Sequence, residues 1–173
     1  MPDQPTQTTS TLGLTQPIKL TEEHDCTQFD CGEPSINEYL TTALKQQQRK
    51  NAAVYVTCAP GTLIVKGYYT LSSAEIIREL APSKLTRGGA PKEISAIKLG
   101  RFGLDSQYQG QGFGTDILQD AVRRCIQASE EIAAKAIIVD TLSPQAYQFY
   151  EKNGFRPADK ISALTLYLSL LRR

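Results

Sequence analysis

The sequence predicts an α/β or α+β sandwich, and three observations lead to this fold class. The chain has 173 residues, of which 40% are hydrophobic and 21% are charged, and this composition suits one globular domain with a real core. Segments of strand character predominate in the first half, and the second half follows the order strand, helix, strand, helix, strand. A wholly apolar segment, Ala136-Ile137-Ile138-Val139, lies between the two helices of the second half, which is typical of a buried central strand.

The amino-terminal residues differ from the rest in composition. Residues 1–16 are rich in Thr, Gln and Pro and poor in large apolar side chains, so we expect a flexible tail there. A single folded domain is expected over residues 17–173. The amino-terminal residues do not combine a basic start with an apolar stretch, so we expect no secretory signal. No apolar run approaches the roughly 20 residues that a membrane helix needs, so we expect no membrane association.

The first half of the domain is predicted to contain one helix and three strands. The helix begins at Ser35, because Ile36, Leu40 and Leu44 recur at helical spacing. The predicted strands are residues 17–20, 52–58 and 63–71. The turn Ala59-Pro60-Gly61 predicts that the last two strands form a hairpin.

The second half is predicted to alternate between strands and helices. The predicted segments are a short helix and loop at 82–91, a strand at 94–104, a helix from 112 onward, a strand at 136–139, a helix at 144–152 and a strand at 164–170. The long helix is amphipathic, with an apolar stripe that includes Ile117, Leu118 and Ala121 and a polar face that includes Asp120. The later helix has Ser143 as its N-cap.

The net charge of +1 gives no global field that would hold the protein on nucleic acid. Basic residues are concentrated locally, however, in two clusters. They include Lys45, Arg49, Arg78, Arg87 and Arg101. Such a run is usually a solvated face, and the alternative is a surface that contacts phosphates.

The cysteines favour a reduced, cytosolic protein over a metal site. Cys26 and Cys31 lie five residues apart, near the only histidine, His24. Zinc sites usually show a tighter cysteine pair and a second pair elsewhere, so these residues leave only a weak metal hypothesis. We therefore expect no metal.

The most informative segment is Gln109-Gly110-Gln111-Gly112-Phe113-Gly114, between a predicted strand and a predicted helix. Alternating glycines let the backbone bend tightly and approach a ligand closely. The following helix offers unpaired N–H groups and a positive dipole end, which bind phosphate oxygens. A Walker A loop needs Lys-Ser/Thr after its last glycine, and here Thr115-Asp116 follows. A dinucleotide fingerprint needs two residues between its second and third glycines, and here there is one.

This segment resembles the Gln/Arg-x-x-Gly-x-Gly/Ala signature of the GNAT acetyltransferases. The resemblance implies an α/β (α+β) GNAT fold, with a central mixed, mostly antiparallel twisted sheet of six to seven strands flanked by about four helices. It also implies acetyl-CoA as the cofactor. The implied contacts of the pantetheine arm and thioester are Phe102, Gly103 and Leu104, and those of the diphosphate are Gln109, Gly110, Gln111, Gly112, Phe113, Gly114 and Thr115.

A second segment resembles the Ala-x-x-Phe-Tyr-x-x-x-Gly-Phe sequence of the same family. The matching residues are Ala146, Phe149, Tyr150, Gly154 and Phe155. By this resemblance Ala146 and Phe149 contact the cofactor and Tyr150 lies near the coenzyme sulfur. A phenol with a pKa of about 10 can return a proton to a leaving thiolate, so Tyr150 is the candidate general acid. The alternative is that Tyr150 is only a packing residue.

Two further segments are similar to the GNAT toxins of bacterial type II toxin–antitoxin systems. They are Cys31-Gly32-Glu33-Pro34-Ser35-Ile36-Asn37-Glu38-Tyr39-Leu40 and Gly67-Tyr68-Tyr69-Thr70-Leu71-Ser72. The resemblance implies acetylation of the α-amino group of aminoacyl-tRNA, which blocks translation. It also implies a ribbon-helix-helix antitoxin, repression of the operon by binding of the complex to its DNA, a homodimer and a cytoplasmic location. By this resemblance the basic clusters become candidate RNA-binding surfaces, with Lys45, Arg49, Arg78, Arg87 and Arg101 as the candidate contacts. Phe102-Gly103 departs from the family, in which aliphatic and Ala residues are commoner, so the pantetheine wall is expected to differ.

Two other functions stay open at this point. One is a GNAT enzyme that acetylates a small-molecule or protein amine, in which case the basic clusters are solvated surface. The other is a non-catalytic module that binds the coenzyme without turnover.

Overall fold

A computed structural model describes residues 13–171, which form one mixed sheet of seven strands with four helices. The strands are β1 (Ile18–Lys19), β2 (Ala53–Cys58), β3 (Val65–Ile77), β4 (Glu93–Leu104), β5 (Ala136–Asp140), β6 (Arg156–Pro157) and β7 (Thr165–Ser169). The helices are α1 (Pro34–Gln48), α2 (Ser83–Thr86), α3 (Phe113–Glu131) and α4 (Pro144–Lys152). The strands lie in the order β1-β2-β3-β4-β5-β7-β6. This architecture confirms the predicted fold class.

The chain divides into two compact units. The first contains the residues up to Thr70 together with Arg101–Asp120. The second contains Leu71–Gly100 together with the residues from Ala121 onward. Strands β3 and β4 and helix α3 therefore contribute residues to both units.

The core of the first unit lies between α1 and the sheet. Helix α1 begins at Pro34, whose fixed φ suits the first turn, and it buries Ile36, Leu40 and Ala43. These side chains pack in one cluster with residues of β2 and β3, among them the fully buried Val54. Because the apolar positions recur at helical spacing, one face of α1 meets the sheet and the opposite face stays in solvent.

The folded part of the first unit begins earlier than the sequence predicts. Residues 13–16 belong to the predicted tail, yet Leu14 is buried. The Thr15 amide donates to the Cys58 carbonyl at 2.9 Å, and the Cys58 amide donates to the Thr15 hydroxyl at 2.8 Å. Residues 1–12 of the predicted tail lie outside the described residues.

The second unit is built on β5. Strand β5 pairs in parallel with β4, with Ile137 opposite Ile97, and antiparallel with β7, with Ile137 opposite Leu168. Its side chains are buried on both faces of the sheet: Ala136 and Ile138 pack in one cluster, and Ile137 and Val139 are buried on the opposite face. This burial on two faces explains why the sequence of β5 is a continuous apolar run. No helix within residues 13–171 is long and apolar enough to cross a membrane.

The prediction that Asp120 lies on the polar, solvent-facing side of α3 is wrong. Asp120 is buried, and the Tyr69 hydroxyl donates to its carboxylate at 2.5 Å. Charged side chains normally face solvent, but a hydrogen-bonded partner reduces the cost of burial. Periodicity along one helix cannot reveal a partner on another element.

Candidate functional site

The cofactor-binding stretch predicted on β4 lies in the first unit, where α1 covers the strand. Gly103 is the point of closest approach. A Cβ atom at Gly103 would lie 2.6 Å from Ile36 Cγ2, 3.1 Å from Phe29 Cζ and 3.5 Å from Tyr68 Cε1. The glycine therefore lets α1 approach the strand more closely than alanine would allow. Phe102 is half-buried and Leu104 is buried.

Asp105 ends β4 and fixes the path of the chain into the glycine-rich turn. Its buried carboxylate accepts hydrogen bonds from the Gln107 amide at 3.0 Å and from the Asp30 amide at 3.1 Å. The Lys66 ammonium lies 3.7 Å from the same carboxylate. A 3-10 turn, Ser106–Tyr108, follows with Asp105 as its N-cap.

The turn itself uses two glycines in the left-handed region. Gly110 has a φ of 75° and Gly112 a φ of 89°, which residues with a Cβ atom rarely adopt. The Gln109 side-chain amide donates to the Cys31 carbonyl at 2.9 Å and to the Leu104 carbonyl at 2.8 Å. The Gln111 side chain likewise donates to a carbonyl, that of Gln107, at 3.0 Å. Side chains, rather than the backbone amides of the two glycines, thus brace the turn.

Helix α3 begins directly after this turn and presents its amino-terminal end. The Asp116 amide donates to the Gly112 carbonyl at 3.3 Å. The amides of residues 113–115 precede it in the first turn, and they have no carbonyl acceptor inside the helix. Phe113 fixes the start of the helix through an edge-on contact with Tyr108, with ring centroids 5.7 Å apart.

The space around the turn agrees with a bound anion. A Cβ atom at Gly110 or Gly112 would meet no other atom within 4 Å. The two glycines are therefore required by their φ values and not by crowding from the protein. Open space, unpaired amides and a positive helix end together suit a diphosphate, so this turn fits the group that the sequence predicts.

Helix α4, in the second unit, carries the other predicted residues. Its N-cap is Ser143, whose hydroxyl accepts a hydrogen bond from the Ala146 amide at 3.1 Å. Tyr150 is buried, and its ring is edge-on to Phe149 and to Phe155, with centroids 5.3 Å away in each case. Burial raises the pKa of the Tyr150 phenol above its usual value, so the group keeps its proton at neutral pH.

The basic residues predicted to contact RNA are distributed over both units. Lys45 in the last turn of α1, Arg49 at its C-cap and Arg101 on β4 are exposed in the first unit. Arg78 and Arg87 are exposed in the second unit, between β3 and β4. The Arg78 guanidinium donates to the Ala90 carbonyl at 3.0 Å and lies 3.7 Å from the Glu79 carboxylate. Arg78 therefore also braces its own loop.

Sequence reasoning missed Asp105 and Lys66. Asp105 was detectable in part, because an aspartate between a strand and a turn is a common cap. Its partners Asp30 and Lys66 are distant in sequence, and no local pattern connects them. Within the described part of the chain, no group of three or more His, Cys, Asp or Glu side chains could hold a metal ion, His24, Cys26 and Cys31 included.

Comparisons with known proteins identify relatives of this chain. The family described as "Acetyltransferase (GNAT) domain" matches residues 74–157. The curated tRNA-acetylating toxin of Mycobacterium tuberculosis is 33% identical over 157 residues, which cover 89% of this chain and 93% of the relative.

Several solved structures share the fold. AtaT complexed with acetyl-methionyl-tRNAfMet has a TM-score of 0.82 and 31% identity, covering 89% of this chain and 94% of that chain. A mutant AtaT toxin bound to the C-terminus of the antitoxin AtaR and acetyl-CoA has a TM-score of 0.76 and 30% identity, covering 90% and 92%. The AtaT–AtaR complex bound to DNA has a TM-score of 0.73 and 29% identity, covering 90% and 94%.

Proposed function

Since the chain belongs to the GNAT acetyltransferases, and within them to the tRNA-acetylating toxins, we propose that it moves the acetyl group of acetyl-CoA to the α-amino group of an aminoacyl-tRNA. The acetylated amine can no longer attack a peptidyl ester, so the product blocks translation. The observation that carries the proposal is the braced turn at residues 109–112 before α3, with its two left-handed glycines and open space.

We propose that this turn and the first turn of α3 hold the diphosphate of acetyl-CoA. The contributing residues are Gln109, Gly110, Gln111, Gly112, Phe113, Gly114 and Thr115. The contribution of Gln109 is to hold the turn in place, because its side-chain amide is occupied by two carbonyls. We propose Phe102, Gly103 and Leu104 as contacts of the pantetheine arm and thioester. From the family resemblance we also propose Ala146 and Phe149 as contacts of the cofactor.

The chemistry asks little of a general base. The amine of an amino acid esterified to tRNA has a pKa below that of an ordinary amine, so much of it is neutral near pH 7. Bound acetyl-CoA supplies an acetyl thioester, which the neutral amine attacks with release of the coenzyme thiol. Backbone amides at residues 102–104 would polarise the thioester carbonyl, and the fixed site would orient the amine.

Tyr150 is proposed to give its proton to the sulfur as the carbon–sulfur bond breaks. The acetylated nitrogen loses one proton in the same turnover, so the protons balance over the reaction. Burial holds the pKa of Tyr150 above its usual value, which keeps the phenol in the protonated form that a donor requires.

We propose the partners of this protein by analogy with its relatives. AtaT is known in complexes with an antitoxin, with DNA and with acetyl-methionyl-tRNA. We extend these partners to this chain and propose an antitoxin of the ribbon-helix-helix class, a homodimer and a cytoplasmic location, where charged tRNA is found. Lys45, Arg49, Arg78, Arg87 and Arg101 are the proposed contacts with tRNA.

A mass-spectrometric assay tests the function. Total charged tRNA is incubated with the protein and acetyl-CoA, digested with a nuclease, and analysed for acetyl-aminoacyl-adenosine. We expect this product from at least one aminoacyl-tRNA. Binding of acetyl-CoA without any such product would refute the proposal and favour a small-molecule or protein amine as acceptor.

A further inference from the structure

Arg101 lies on the face of β4 that α1 covers. Side chains alternate along a strand, so Arg101 shares a face with Gly103, the residue against which Ile36 of α1 rests. One helical turn after Ile36 is Tyr39, and the guanidinium carbon of Arg101 lies 4.9 Å from the centroid of the Tyr39 ring. The strand and the helix thus bring a cation over an aromatic ring.

Tyr39 is itself held in a fixed position. Its ring is stacked on that of Tyr68, with centroids 6.3 Å apart and an angle of 3° between the planes. Tyr68 is fully buried, donates its hydroxyl to the Ile36 carbonyl at 2.6 Å, and contacts Phe29 edge-on. The orientation of the Tyr39 ring is therefore determined by the core of the first unit.

The Arg101 backbone is fixed as well, because its amide donates to the Thr70 hydroxyl at 2.9 Å. Within residues 13–171 no carboxylate forms an ion pair with Arg101, and the side chain is exposed. A cation–π contact uses the charge of the guanidinium and engages no hydrogen-bond acceptor, so the N–H donors of Arg101 stay available for a ligand. A planar edge with several N–H donors matches the oxygens of a phosphate in a bidentate geometry.

We propose that Tyr39 is a positioning residue that holds the Arg101 guanidinium for the 5′-phosphate of the terminal nucleotide of the aminoacyl-tRNA. The proposal rests on the proposed function. Gly103, in the stretch assigned to the thioester, lies two residues from Arg101, which is about 7 Å along a strand. The nearest phosphate of the tRNA is separated from the reacting amine by the amino acid and one ribose. The distance between Arg101 and the reacting carbonyl is therefore comparable to the length of one nucleoside.

Two small substrates isolate this contact. They are amide-linked 3′-aminoacyl analogues of adenosine and of adenosine 5′-monophosphate, carrying the amino acid that the assay above identifies. We expect the wild-type protein to prefer the phosphorylated analogue by about tenfold in kcat/KM, through a lower KM, because the contact is a charge-assisted hydrogen bond. Arg101→Gln is expected to abolish the preference, and Arg156→Gln, which removes another exposed strand arginine, is expected to keep it.

The variants of Tyr39 distinguish positioning from folding. Tyr39→Phe keeps an aromatic ring and is expected to keep the preference. Tyr39→Leu is expected to lose most of it and to change nothing further when added to Arg101→Gln. If Tyr39→Leu fails to fold, Arg101→Lys replaces it in the test. Arg101→Lys keeps the positive charge but loses the planar group that lies over the Tyr39 ring, so it should keep only part of the preference. Melting temperature and affinity for acetyl-CoA check that each variant is folded.

The outcomes separate this inference from the proposed function. The inference is overturned if Arg101→Gln or a folded Tyr39→Leu keeps the preference for the phosphorylated analogue. It is also overturned if Tyr39→Phe loses as much of this preference as Tyr39→Leu does. If the wild-type protein acetylates charged tRNA but shows no preference between the analogues, only this inference fails. If it acetylates no charged tRNA, the proposed function fails first.

Discussion

A single hydroxyl carries the proton transfer in the proposed reaction. Tyr150 lies among Phe149 and Phe155, and burial raises the pKa of its phenol. Removal of the oxygen leaves the aromatic contacts in place. The effects of this atom on folding and on catalysis can therefore be separated.

We predict that Tyr150→Phe lowers kcat for acetylation of aminoacyl-tRNA by about 100-fold, the usual scale of a lost general acid. Affinity for acetyl-CoA, measured by calorimetry, should change little. Tyr147→Phe on the same helix is the matched control and should be fully active. Full activity of Tyr150→Phe would eliminate it as the proton donor. Because the raised pKa lies above the usual value of about 10, titration of Tyr150 should cause no fall in rate between pH 7 and pH 9.

At the scale of secondary-structure elements, the connection from β4 to α3 combines a capped strand end, a 3-10 turn and a glycine turn. The backbone conformation of this connection and its role in binding can be tested separately, because the chain contains a second turn of similar conformation. Gly61 has a φ of 72°, close to the 75° of Gly110, and a Cβ atom at either position would meet nothing within 4 Å.

We predict that Gly110→Ala and Gly61→Ala lose similar stability, about 1–2 kcal/mol each in urea denaturation, because both force a side chain into the left-handed region. Only Gly110→Ala should weaken acetyl-CoA binding, by at least about tenfold, since its methyl group enters the space assigned to the diphosphate. Equal dissociation constants for the two variants would argue against a diphosphate at this turn.

Helix α1 and strand β4 offer a test of close packing. We predict that Gly103→Ala lowers the free energy of unfolding by about 1–3 kcal/mol, because its Cβ atom would lie 2.6 Å from Ile36 Cγ2. Ile36→Ala should relieve the clash, so the double variant should be less destabilised than the sum of the two single variants. Additivity within about 0.5 kcal/mol would contradict this packing.

At the scale of the whole molecule, a net charge of +1 must be reconciled with a polyanionic substrate. The loop between β3 and β4 offers a local solution, since its cations Lys84, Arg87 and Lys92 are all exposed. The Lys135 ammonium donates to the Leu85 carbonyl at 3.1 Å and to the Gly89 carbonyl at 3.4 Å, which ties this loop to the start of β5.

We predict that KM for aminoacyl-tRNA rises steeply with KCl and that the triple variant Lys84→Gln/Arg87→Gln/Lys92→Gln reduces the slope of log KM against log salt by about 2. The triple variant Lys152→Gln/Arg156→Gln/Lys160→Gln removes the same charge from other exposed positions and should keep the wild-type slope. Equal slopes for both triple variants would show that the loop is only solvated surface.

The sequence predicted the order of helices and strands because their apolar periods and caps are local. Helix α4 has the predicted bounds, since its N-cap Ser143 and the left-handed Gly154, two residues after its end, are both local signals in the sequence. Strand β6 was missed because it has only two residues, one of them a proline. Strand β3 continues to Ile77 through polar residues that break its apolar pattern.

The glycine-rich turn was predicted because its motif is also local in sequence. The side chains that hold the neighbouring elements in place were not predicted. The buried carboxylates of Asp105 and Asp120 bind groups that are distant in sequence, and polarity alone assigns such residues to the surface. Interactions between elements, such as that of Arg101 with Tyr39, depend on the three-dimensional packing of α1 on β4.

The two crowded glycines of the sheet also restrict how this protein can change during evolution. A Cβ atom at Gly67 would lie 2.7 Å from Thr57 Cγ2 and 3.1 Å from Ile117 Cδ1 of α3, just as one at Gly103 would collide with α1. Gly67 therefore accommodates side chains of β2 and α3, and Gly103 accommodates a side chain of α1. Neither position can accept even a methyl group unless these packed side chains shift, so homologous lineages should diversify everywhere around these two positions before they diversify at them.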